Sequence, residues 1–224
     1  MMKSKGIIIL FFLQVITMSM NTQKKSRIVF FGDSITQMGM DAGGYIREME
    51  ATIKSRNLSA GYELAGAGIG GNKVYDLYLR MENDVLAKNP DVVVIWIGVN
   101  DIWHKTSGIG TDPQKFQQFY EAIIKKFQAR NIRLFLCTPT AIGERTDYSN
   151  PQDGDLNFYS NIIRSLSKKF NTGLIDLRKA FLEYNMGHNP DNKESGILTT
   201  DRVHLNPAGN KLVADKMLEV LLAK

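Results

Sequence analysis

The sequence predicts an α/β fold: a three-layer α/β/α sandwich around a parallel sheet of about five strands. Short β-branched or aromatic runs alternate with helical patterns along the chain, the signature of βαβ units. The run Val92 to Ile97 carries no polar residue; an unbroken apolar run of that length suits a central parallel strand covered on both faces. The chain has 224 residues, 43% of them hydrophobic and 23% charged, enough for one sizeable core.

Taken in order, residues 27–31 form the first expected strand, ending at Gly32. Residues 42–56 follow as a helix with Tyr45, Ile46, Met49 and Ile53 on one face. A weaker strand, 62–65, runs into glycines, and 74–88 is helical through Leu77, Tyr78, Met81 and Val85. The strong strand 91–97 precedes a helix at 113–130, whose stripe is Phe116, Phe119, Ile123 and Phe127. Residues 133–138 form a strand, 156–170 a helix and 173–177 the last strand. Pro207 to Leu222 closes the chain as a helix, with Asn206 at its N-cap and Pro207 at N1. No repeat, low-complexity tract or linker divides it.

The first nineteen residues read differently. Lys3 and Lys5 precede a nearly unbroken apolar stretch from Gly6 to Ile16, with small residues Thr17 and Ser19 near its end. That stretch is shorter than the ~20 residues a spanning helix needs, so 1–19 is expected to be a signal peptide and 20–224 a single exported domain without stable membrane association. Cys137, the one cysteine, lies in an apolar strand and cannot form an internal disulfide. The formal charge of +5 is scattered, and no basic run with interleaved aromatics points to nucleic acid.

Ligands bind such sheets at the carboxyl ends of the strands, and the chemically suggestive residues fall there. Gly32-Asp33-Ser34 follows the first strand, Gly68 to Gly71 the second and Gly98-Val99-Asn100-Asp101 the third. Asp201-Arg202-Val203-His204 precedes the last helix. A serine hydroxyl is a poor nucleophile without a base beside it. His204 sits on a turn leading into a helix, with Asp201 three residues before it, able to orient its ring. Asp33 is expected to bond its own turn, or else to line the substrate cleft with Trp103. His104 and His188 read as surface or loop histidines, and neither a metal site nor a cofactor is expected.

Phe31-Gly32-Asp33-Ser34-Ile35, Gly71, Gly98-Val99-Asn100-Asp101 and Asp201-Arg202-Val203-His204 together resemble the ordered signature blocks of the GDSL/SGNH hydrolase family. The resemblance implies a flavodoxin-like topology and a serine esterase with Ser34, Asp201 and His204 as its triad. It implies an oxyanion hole made by the backbone N–H groups of Ser34 and Gly71 and the side-chain amide of Asn100. Ile35 replaces the usual leucine, and Gly66 stands where many relatives have asparagine, which should loosen the adjoining turn. The implied substrate is a short-chain, O-acetyl ester on a carbohydrate or another polar alcohol; lysophospholipase or thioesterase activity is the alternative within the family. A non-catalytic glycan-binding module is the alternative of another class. Gly66-x-Gly68-x-x-Gly71 also fits the dinucleotide fingerprint formally, but it follows the second strand rather than the first.

Overall fold

The computed structural model describes residues 24–223, so the expected signal peptide at 1–19 lies outside the described residues. Strand β1 (Ser26–Gly32) leads into a short helix α1 (Ser34–Met38) and then α2 (Tyr45–Ser55). Strand β2 (Tyr62–Gly68), helix α3 (Val74–Asp84) and a 3-10 turn (Leu86–Lys88) precede β3 (Val92–Trp96). A short helix α4 (Val99–Trp103) and a second 3-10 turn (His104–Ser107) lead to α5 (Pro113–Gln128). The chain continues through β4 (Arg133–Cys137), α6 (Asp153–Phe170), β5 (Gly173–Ile175), α7 (Leu177–His188) and α8 (Pro207–Leu221).

The five strands form one sheet in the order β2-β1-β3-β4-β5, every pair parallel. The order reverses direction at β1. Right-handed crossovers therefore put α2 on one face and α3 on the other. Helix α8 packs beside α2, while α3, α5 and α6 pack in succession. All five residues of β3 are buried, as its apolar run requires. Among the described residues no helix is long and apolar enough to cross a membrane.

Register positions the site. Gly32 pairs with Gly68 on one side and Trp96 on the other, so β1, β2 and β3 end level and the segments after them emerge at one edge. The crevice between β1 and β3 is the switch point where parallel sheets take ligands. Close approach fixes the glycines there. A Cβ on Gly32 would lie 2.4 Å from the Trp96 carbonyl oxygen, and one on Gly68 2.1 Å from the Gln37 nitrogen.

Three helices depart from the sequence expectation. Helices α1 and α4 are each five residues long, too short for a periodic stripe. Helix α7 breaks the pattern differently: its buried residues are Leu177, Arg178, Phe181 and Asn185, so polar side chains occupy positions where periodicity looks for apolar ones. Gly66 lies within β2, paired with Phe30, and not in the turn beyond it. A Cβ there would meet Met40 Cγ at 2.4 Å, so the glycine makes room for Met40 and does not loosen the turn.

Candidate active site

Ser34 opens α1, with Asp33 as the N-cap. At that position its backbone N–H has no acceptor within the helix. Its Oγ lies 2.9 Å from Nε2 of His204, and Nδ1 of His204 lies 2.6 Å from Oδ2 of Asp201. The other Asp201 oxygen, Oδ1, accepts the backbone N–H groups of Val203 (3.1 Å) and His204 (2.7 Å). One carboxylate thus builds the turn and aims the imidazole it carries. Arg202, between them, takes φ +83°, a left-handed conformation the turn imposes on a non-glycine residue. Partial burial works to raise the Asp201 carboxyl. The hydrogen bonds from the His204 ring and the two backbone N–H groups outweigh it, holding the group below the usual carboxylate range.

The second and third segments meet beside Ser34. The buried Asn100 amide donates one N–H to the Asn72 carbonyl at 3.1 Å, which ties the loop after β2 to α4 and leaves its second N–H for another acceptor. Gly70 N–H donates to Oε1 of Gln37 (2.8 Å), anchoring the same loop to α1. Gly71 has φ +76°, and a Cβ there would meet nothing within 4 Å. Glycine is required at 71 by backbone conformation, not by crowding in the free protein. Trp103 is partly buried, its ring edge-on to His204 at 6.4 Å between centroids.

Asp33 does not line the cleft. It is 2% exposed and its Oδ1 accepts the Ile35 N–H at 3.0 Å; an N-capping carboxylate that close to the sheet end is enclosed by the helix it starts. Burial, reinforced by nearby Asp101, pushes its carboxyl up to about 7. Asp101 is also fully buried, and burial pushes it up to about 6. The spacing Asp-x-x-His occurs a second time at Asp101 and His104, but there the carboxylate accepts the Val74 N–H at 3.2 Å with both oxygens. His104 Nδ1 is buried without a partner. Asp101 is fully buried on α4, whereas Asp201 is half exposed on a turn outside any helix. His188 is exposed, bonded to the Tyr184 carbonyl and stacked on that ring.

Over residues 30–212 the chain matches the GDSL-like lipase/acylhydrolase family. It belongs to that family. As a GDSL-like acylhydrolase it is a serine carboxylic ester hydrolase; of the three glycines of the formal dinucleotide fingerprint, Gly66 and Gly68 lie within β2 and Gly71 beyond it. An acetyl xylan esterase of known structure is 62% identical, with a TM-score of 0.85, covering 86% of this chain and 98% of that one. The acetylxylan esterase of Geobacillus stearothermophilus is 28% identical over 209 residues, 86% of this chain and 92% of the relative. An uncharacterized lipoprotein of Bacillus subtilis is 28% identical over 230 residues, 93% of this chain and 95% of the relative.

Sequence reasoning missed what holds the turn from Asp201 to His204 in place. Glu144, a carboxylate in the loop between β4 and α6, is 1% exposed. Its oxygens accept the N–H groups of Ile197 (2.8 Å) and Leu198 (2.6 Å), while the neighbouring Gly143 N–H donates to the Arg202 carbonyl (2.9 Å). A cavity of about 580 Å³ touches Ile35, Thr200 and Leu205, the neighbours in sequence of Ser34, Asp201 and His204.

Proposed function

We propose that this hydrolase removes acetyl groups from a carbohydrate through an acyl-enzyme on Ser34. The observation that carries the reading is the unbroken relay from Ser34 Oγ through His204 to Asp201, in a chain 62% identical to an acetyl xylan esterase. His204 takes the Ser34 proton as Oγ attacks the ester carbonyl, and Asp201 stabilises the imidazolium that forms. The oxyanion accepts the N–H groups of Ser34 and Gly71 and the free amide N–H of Asn100. His204 then returns the proton to the departing sugar oxygen, and water repeats the sequence on the acetyl-enzyme. Trp103, edge-on to His204, forms a wall of the cleft. Export fits the lipoprotein relative and the basic-then-apolar start of the sequence.

Ser34→Ala should abolish hydrolysis with the fold intact, and a fluorophosphonate probe should label Ser34 alone. A p-nitrophenyl ester series should favour acetyl over octanoyl at least tenfold, roughly 1.4 kcal/mol in the transition state. Rates that climb with acyl length, or an adduct on another residue, would overturn the assignment.

A further inference from the structure

We propose that the cavity behind Tyr148 is a second sugar subsite, holding a neutral glycan ring a short distance along the chain from the esterified one. It rests on the carbohydrate-ester reading above and adds a recognition element outside the reacting atoms.

Tyr148 is 93% exposed and takes φ +66°. An aromatic ring in water on a left-handed backbone is unfavourable twice over, and neither feature helps the fold; such outliers concentrate at functional sites. The loop around it is nonetheless fixed. Asp147 accepts the Ser149 N–H (3.0 Å) and the Asn192 amide (2.7 Å), and Asn192 in turn accepts the Thr146 N–H (2.8 Å). Asn150 ties both the N–H and the carbonyl of Arg145 (3.2 and 2.7 Å). The ring is held out on a rigid support, so ligand contact would cost little ordering.

Behind it lies a cavity of about 180 Å³ between this loop and α7. Phe181, Leu182 and Met186 give it apolar walls, and Met186 is 76% exposed. Asn185 lines it too. That residue is 5% exposed, and its Oδ1 has no hydrogen-bond partner among the described residues. A buried acceptor left unpaired is costly, and a turn of the amide toward the cavity would bring it to a ligand's donor. Two cations line the cavity, and both are matched: Arg178 by Asp153 (2.7 Å), the Thr140 carbonyl and Asn157 (2.9 Å each), and Arg145 by Glu194 (3.6 Å). With both charges compensated the cavity has no demand for an anion. An apolar face beside a hydroxyl-seeking acceptor fits a pyranose ring: C–H face on Tyr148, hydroxyl on Asn185.

Shared lining residues lead from this cavity toward the turn that carries Asp201 and His204. A neighbouring cavity of about 230 Å³ shares Arg145 and Asn150 with the first and reaches Arg202. Arg202 stands between Asp201 and His204. A glycan extended from Ser34 over Arg202 would place a further ring at Tyr148.

The test uses acetylated xylo-oligosaccharides of increasing length on the full chain. Wild-type kcat/KM should rise at least tenfold from acetylated xylose to acetylated xylotriose. Tyr148→Ala and Asn185→Ala should each remove most of that gain through KM, and Tyr148→Phe should keep it. Tyr148→Gly relieves the backbone, so it should lose the same gain with no fall in Tm, which separates lost binding from lost folding. Wild-type length dependence in both Tyr148→Ala and Asn185→Ala would overturn the subsite and leave the carbohydrate reading standing. A wild-type enzyme that cleaves p-nitrophenyl acetate but no acetylated oligosaccharide would overturn both.

Discussion

At the scale of single residues, the proposed mechanism gives one amide of Asn100 two tasks. One N–H holds the Asn72 carbonyl and thereby the loop bearing Gly71; the other is free to meet a developing oxyanion. Asn100→Ala should lower kcat on p-nitrophenyl acetate by about 10²–10³, the cost of losing an oxyanion donor. Asp201→Asn acts elsewhere. An amide in place of Oδ2 favours the wrong tautomer of His204, and a loss of about 10⁴ in kcat is expected. Asp201 also accepts two backbone N–H groups, so the Asn variant should show a lower Tm as well. Full kcat in Asn100→Ala would remove Asn100 from the oxyanion hole.

At the scale of elements, strands and glycines position Ser34 and Asn100, whereas a loop-to-loop latch positions Asp201 and His204. The Glu144 carboxylate bridges the N–H groups of Ile197 and Leu198, just before the pair Thr199 and Leu205 that closes the turn bearing Asp201 and His204. A glutamine would present a donor to one of those N–H groups. Glu144→Gln should therefore cost about 1–3 kcal/mol, visible as a Tm lowered by several degrees in a chain this size, and kcat should fall with it as His204 loses its aim. An unchanged Tm and kcat would show the latch to be dispensable.

This is also where sequence legibility stops. The segments bearing Ser34 and Asn100 are readable because topology guarantees that residues just after parallel strands share an edge; Asp-x-x-His is a compact local pattern, but it occurs twice and the sequence alone does not separate the two. Glu144 is a lone carboxylate in a loop, and its partners are backbone groups 53 and 54 positions away; no local pattern encodes that. Helix α7 is hidden by Arg178 and Asn185 on its buried face, the same residues that line the cavity behind Tyr148. Asp33 is legible as a cap, but its burial depends on Asp101 and the sheet end closing over it.

At the scale of the whole molecule, the sheet edge that gathers the site also encloses two carboxyls beneath it, and this couples the site to stability. Asp33 titrates near 4 when unfolded and is pushed up to about 7 in the fold, by burial first and by Asp101 second. Between those values the folded protein binds the extra proton, so stability falls as pH rises from about 4 to about 7 and then levels. The cost at pH 8 is at most about 4 kcal/mol, since each tenfold change in proton affinity between the unfolded and folded chain corresponds to about 1.4 kcal/mol. Asp33→Asn keeps an acceptor for the Ile35 N–H while removing the enclosed charge. Thermal unfolding should give the variant little advantage at pH 4 and a clear one at pH 8, the difference developing across that window. Asp101 is present in both proteins, so only the part of its titration that is coupled to the Asp33 charge enters the comparison. A variant equally shifted at both pH values, or destabilised more at pH 8, would show that the Asp33 charge is solvated rather than enclosed beneath the site.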